Sequence, residues 1–222
     1  ELWEGHLDHF LRPMFYLVLA LIISNSASEP AVGAISNTPG VSNGQFIAKC
    51  LGCHGRSGVS GYSDFPNLAG LDHAYIIKQL TSFRGGERTD YTMNAMPYMV
   101  AGLTDNELYG LAEVFSRLPA EVVKKSEMSA NDLKLFEAGK ALVTGNTVTC
   151  RFCHLGNATG DGPAMADYPS LTGQQKNYLV NQIKAFRDKK RWSPIMNSDI
   201  VGQLTDGEIE SIAVYMRYMK AR

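Results

Sequence analysis

Cys50-Leu51-Gly52-Cys53-His54 and Cys150-Arg151-Phe152-Cys153-His154 are two copies of one pattern, CxxCH, and between them they hold every cysteine of the chain. Two thiols one helical turn apart can add across the two vinyl groups of a haem, and the adjacent imidazole reaches the iron from one face. Other uses of paired cysteines account for less of the pattern. A four-thiolate zinc shell explains neither the histidine after each second cysteine nor the copy of the surrounding sequence that comes with each pair. A thioredoxin-type dithiol lacks its βαβ surroundings, and a CxxC disulfide closes so short a loop that it stabilises little. Two covalently bound haem c groups are therefore expected, held by Cys50, Cys53 and His54 in one half and by Cys150, Cys153 and His154 in the other.

The sequence around the motifs repeats as well. Pro66, Leu68, Gly70, Tyr75, Gln79, Phe83-Arg84 and Arg88 match Pro169, Leu171, Gly173, Tyr178, Gln182, Phe186-Arg187 and Arg191 at one constant offset, which marks two homologous units. Ser42-Asn43-Gly44-Gln45 has capping-box spacing before Phe46, Ile47 and Cys50, so a helix delivers the first motif and ends at Gly55. Asp72 caps a helix in which Tyr75, Ile76, Gln79, Leu80 and Phe83 recur at helical spacing, closed by Arg84-Gly85-Gly86. A methionine-rich loop follows, with Met93, Met96 and Met99. Thr104 to Glu107 then makes a capping box before Leu108, Leu111, Ala112 and Phe115, and Pro119 stops that helix. In the second half Asn131-Asp132 starts a helix through Leu133, Phe136, Ala138 and Leu142, interrupted at Gly145-Asn146. Thr172 to Gln175 and Thr205 to Glu208 read as capping boxes, the latter before Ile209, Ile212, Ala213 and Met216. The predicted domains are 42–119 and 131–222, with the charged stretch 120–130 as their linker.

With 222 residues, 45% of them hydrophobic, and a formal charge of −1, the chain has material for two small domains and is too balanced for a disordered or nucleic-acid-binding protein. Its one strongly apolar run, Leu11 to Ile23, begins beside Arg12 and is followed by Ser24-Asn25-Ser26-Ala27-Ser28. That run suits a secretory core and falls short of the roughly 20 residues a bilayer span needs. Residues 1–28 are thus expected as a signal peptide, with a retained N-terminal anchor as the alternative, and the Pro-, Gly-, Ala- and Ser-rich 29–41 as a tether.

An iron that only passes electrons needs a second axial ligand. Outside the motifs the histidines are His6 and His9, before the apolar run, and His73, whose counterpart is Lys176. Methionine is then the candidate in both halves, and a thioether ligand raises the potential. Met196 is the single methionine between the two later helices of the second half. In the first half the offset from Pro66 and Pro169 pairs Met93-Asn94 with Met196-Asn197. Counting back from Leu103-Thr104-Asp105 and Leu204-Thr205-Asp206 selects Met96, which Pro97 would stiffen. Met96 and Met196 are the expected ligands, with Met93 as the competitor. Met99 reads as porphyrin packing, and Met165, Met216 and Met219 as core or surface. The backbone carbonyls of Pro66 and Pro169 are candidates to orient the two histidines. Arg84, Arg88, Arg187 and Arg191 are candidates to meet propionates, or else solvated helix ends, and Tyr75 and Tyr178 read equally well as core.

From about Gly40 onward the chain resembles the dihaem cytochrome c4 family. The motifs are CLGCHG with FPNLAG, FRGGERTD and MVAGLTDNEL, then CRFCHL with YPSLTGQ, YLVNQIKAFRDKKR and VGQLTDGEI. Two departures are Leu155, where a glycine is usual, and Met196, one residue further from its Leu-Thr-Asp than Met96 is. The resemblance implies an all-α fold of two tandem class I cytochrome c domains joined by a linker and related by a pseudo-twofold axis, the propionate edges of the haems facing one another. It also implies a periplasmic electron carrier between a bc1-type complex and a terminal oxidase, with a small copper protein as a further partner. A surface contact with the membrane, or the N-terminal anchor, is compatible with that role. The competing readings are a dihaem electron-accepting subunit of a flavin-containing dehydrogenase and a dihaem enzyme such as a peroxidase or thiosulfate-oxidising cytochrome. An enzyme needs an open sixth position, or histidine or cysteine in place of methionine, and the chain has no spare cysteine and one spare histidine for it; a non-enzymatic role is expected.

Overall fold

A computed structural model describes residues 44–89, 94–145, 150–154, 168–197 and 199–219, and these form helices and turns with no strand among them. The expected signal peptide or anchor, the tether, Ser42-Asn43, Met93, Leu155 and Met165 lie outside the described residues. Among the described residues no helix is long and apolar enough to cross a membrane.

The first helix, α1 (Gly44–His54), carries the first CxxCH on its last turn. Gly55 follows at φ +80°, where a Cβ would stand 1.8 Å from the Val59 carbonyl oxygen, so only glycine lets the chain fold back beneath the motif. Helix α2 (His73–Arg84) opens on Asp72, whose carboxylate accepts the Tyr75 N–H at 2.9 Å. The methionine-rich stretch, expected as a loop, instead winds one turn of helix, α3 (Met96–Val100). Pro97 sits in its first turn, where the missing N–H has no intrahelical partner to lose and the fixed φ fits. Helix α4 (Asp105–Arg117) starts with both hydrogen bonds of the Thr104–Glu107 capping box and buries the expected Leu108, Leu111, Ala112 and Phe115.

In the second half α5 (Ala130–Thr144) starts one residue earlier than expected, because the Ser129 hydroxyl caps it by accepting the Asp132 N–H at 3.0 Å. Its buried stripe is Phe136, Gly139 and Val143, and Leu133 is 54% exposed. The stripe runs through the glycine because a Cβ at Gly139 would lie 2.0 Å from the Ser211 carbonyl oxygen. Close approach to the last helix sets the rotation of α5, and Leu133 and Ala138 are left outside. The second motif forms α6 (Cys150–His154), and α7 (Lys176–Arg187), α8 (Asp199–Gly202) and α9 (Asp206–Tyr218) follow. The capping box at Thr205–Glu208 is complete. The one expected at Thr172–Gln175 is absent: Gln175 is the N-cap of α7, yet its side chain makes no cap. It reaches across to the first half and donates to the Ser60 carbonyl at 2.7 Å.

Two apolar clusters result. One gathers Ile47 of α1 with the inner faces of α2 and α4; the other gathers Phe136 and Val143 of α5 with α7 and α9. The repeat reappears in their joints. Gly70 N–H donates to the Phe115 carbonyl at 3.0 Å and Gly173 N–H to the Met216 carbonyl at 3.1 Å, each tying the loop before a helix to the end of its partner. The stretch 120–130 contains a 3-10 turn, Lys125–Glu127, and touches both halves: Lys125 Nζ lies 4.2 Å over the Phe136 ring, and Glu121 accepts from Asn67 Nδ2 at 2.7 Å.

Candidate functional site

Each motif histidine is buried, and each is held from behind. His54 Nδ1 lies 2.8 Å from the Pro66 carbonyl oxygen and His154 Nδ1 lies 2.8 Å from the Pro169 carbonyl oxygen. A carbonyl oxygen only accepts, so the proton sits on Nδ1, and a neutral ring carries its lone pair at Nε2. Burial, together with the Arg191 charge, holds the His154 imidazolium pKa below the usual histidine value even though the Pro169 bond acts the other way. Both histidines line one cavity of about 840 Å3, which also takes in Cys50, Cys53, Met96 and Met196. Cys150 and Cys153 are not among the described residues that line it, and Cys150 packs against the second core.

Burial pushes the thiols of Cys50 and Cys150 up to about 11, so both stay protonated at neutral pH. Among the described residues no group of three or more His, Cys, Asp and Glu side chains is gathered as a metal shell.

At the seam between the halves the cavity wall is polar and exchanged. Arg88 donates to Tyr178 at 3.2 Å and to Gln182 at 3.0 Å, both from the other half, and Arg191 donates to Gln79 at 2.7 Å, also across the seam, with the Tyr75 hydroxyl at 3.5 Å. Each arginine also stacks on its own phenylalanine, Arg88 at 4.4 Å from the Phe83 centroid and Arg191 at 4.5 Å from that of Phe186. The pattern is that of a two-fold repeat. Tyr75 and Tyr178 are therefore seam residues as much as core. Arg84 and Arg187 are spent elsewhere: Arg84 donates to the Leu103 carbonyl at 2.8 Å and to Asp105, and Arg187 donates to the Leu204 carbonyl at 3.1 Å and to Asp206. They brace the starts of α4 and α9 and do not line the cavity.

The model of the family Cytochrome c matches residues 136–220. A cytochrome c4 from Azotobacter vinelandii is 31% identical over 185 residues, covering 77% of this chain and 84% of that protein. The chain belongs to the cytochrome c4 family. A thiosulfate dehydrogenase electron acceptor from Stutzerimonas stutzeri is 31% identical over 206 residues, 89% of this chain and 90% of that one. The crystal structure of reduced recombinant cytochrome c4 from Pseudomonas stutzeri is similar with a TM-score of 0.66 at 26% identity, over 78% of this chain and 95% of that one. As a cytochrome c4 the chain is an all-α dihaem electron carrier with covalently bound haem c and redox proteins as partners.

The cavity fits that cofactor on its own terms. An apolar space walled by leucine, isoleucine and phenylalanine, with both fixed imidazoles, both thioethers and the seam arginines Arg88 and Arg191 on its lining, suits flat apolar macrocycles that carry carboxylates on one edge. The residues that sequence reading missed are Asn67, Gln174 and Gln175, all buried at the seam. The available signal was a break in the repeat, for Ser170, Leu71 and Asp72 stand at the matching positions.

Proposed function

We propose that Cys50 and Cys53 bind one haem c and Cys150 and Cys153 the other, with His54 and Met96 as the axial pair of the first and His154 and Met196 of the second. The chain then passes single electrons in the periplasm from a bc1-type complex to a terminal oxidase, residues 42–119 and 131–222 each serving as a one-haem domain joined by 120–130. Residues 1–28 serve as a signal peptide or as a retained N-terminal anchor, and 29–41 are the tether between them and the first domain. The observation that carries this reading is the same histidine lock in both halves, Nδ1 to a proline carbonyl at 2.8 Å, beside a cavity that also takes in Met96 and Met196.

When bound, haem supplies a one-electron iron couple. The residues around it do no bond chemistry in this reading: they hold the group, orient its ligands, keep water from the metal and place two positive guanidiniums at the seam. Arg88 and Arg191 are the arginines positioned to meet propionates. The test is to mix the reduced holoprotein with membranes containing a terminal oxidase. Rapid oxidation of both haems supports the carrier; a haem that binds cyanide or turns over peroxide instead overturns it in favour of an enzyme.

The relation to a thiosulfate dehydrogenase electron acceptor over 89% of the chain favours a second reading, service as the electron-accepting partner of a dehydrogenase, flavin-containing or otherwise. Faster reduction by a co-purifying dehydrogenase and its substrate than by a bc1-type complex would select that reading.

A further inference from the structure

The Pro66 carbonyl that holds His54 and the N–H of Asn67 are two ends of one planar peptide group. Asn67 is 4% exposed, and its N–H donates to Gln174 Oε1, from the other half, at 2.7 Å. The same side chain closes a second contact, Gln174 Nε2 donating to the Asn67 carbonyl at 2.9 Å. Asn67 is held on its amide too, accepting from Ser60 N–H at 2.8 Å and donating to the Gly173 carbonyl at 3.1 Å. A continuous chain of hydrogen bonds thus runs from the His54 ring through the 66–67 peptide to the Gln174 carboxamide. Each bond in such a chain polarises the next, so an acceptor on the N–H makes the carbonyl a better acceptor at its other end.

Among the described residues the second half has no equivalent. At the constant offset Leu71 stands where Gln174 does, 8% exposed within the first core, and its side chain forms no hydrogen bond. We infer that Gln174 is a positioning residue for His54, so that docking of the second half tunes the first haem and no reciprocal contact tunes the second. This rests on His54 being the axial ligand proposed above. A stronger bond at Nδ1 makes the imidazole a better donor and favours ferric iron; loss of Gln174 therefore raises the first midpoint potential.

The experiment is a redox titration of the full holoprotein carrying Gln174→Leu, with Gln174→Met read in the same way where the leucine variant does not accumulate with haem. The two midpoints are assigned with Met96→His and Met196→His, each of which lowers its own. The expected result is a first midpoint shifted upward with the second unmoved, together with faster solvent exchange of the His54 Nδ1 proton. Ser63→Ala removes a seam bond away from Asn67, the Asn177 N–H donation at 3.1 Å, and is expected to leave both midpoints in place. An unmoved first midpoint, a common shift of both, or the same shift in Ser63→Ala overturns the coupling. Failure of the unaltered protein to show two histidine- and methionine-ligated haems would instead overturn the ligand assignment.

Discussion

Thioether sulfur is a weak ligand, so its hold on iron depends on how the chain presents it. Pro97 starts the turn of helix behind Met96, whereas Met196 is placed by Ser193, whose hydroxyl accepts the Met196 N–H at 3.2 Å, and by Asn197, which donates to the Phe186 and Arg191 carbonyls at 2.6 and 2.9 Å. Met196→Ala is expected to leave the second haem attached but open on one side: its midpoint falls, its red ferric band is lost, and it takes up cyanide, all visible by absorption spectroscopy. Met93→Ala is expected to change none of these at the first haem, since Met96 is the proposed ligand there. Lys184 and Arg187 hold the Asp206 carboxyl below the usual carboxylate range, and the Thr205 backbone and hydroxyl do the same for Glu208. A carboxyl whose folded value is depressed contributes stability above its unfolded pKa, about 4, and loses it as pH falls through the folded value. The melting temperature of Asp206→Asn should therefore drop less between neutral and acid solution than that of the unaltered protein; an equal drop would contradict this.

Helices in this chain were legible where local chemistry decides them and misread where a neighbour does. Asp72, Thr104 and Thr205 cap α2, α4 and α9 with their own side chains, and their apolar faces follow from spacing alone. The helix expected through Leu133 and Ala138 forms, yet contact with α9 turns α5 so that Gly139 faces inward and both of those residues are exposed. Similarly Gln175 looked like part of a cap and serves a different half of the molecule. Neither outcome is written in the local segment. Gly139→Ala tests the close approach: a Cβ facing backbone at 2.0 Å cannot be absorbed by a rotamer change, so the cost should fall at the upper end of overpacking, about 3 kcal/mol, by denaturant titration of the holoprotein. A change within about 0.5 kcal/mol, as at an ordinary surface site, would contradict the packing described.

Across the whole molecule the repeat is the most legible feature, since both motifs, both prolines and both Phe-Arg helix ends recur along the chain. What the repeat hides is how its copies differ. Asn67 and Gln174 matter because Ser170 and Leu71 do not reproduce them, and a seam between copies is made of such unmatched positions. Carriage of electrons without bond chemistry requires that both metals be closed by the chain on two sides. The most direct measurement is the near-infrared magnetic circular dichroism of the oxidised holoprotein, taken with and without cyanide and referred to measured haem content. Two haems per chain, both with the histidine–methionine signature and both unchanged by cyanide, are predicted. A high-spin haem, or a signature that cyanide abolishes, would contradict the account.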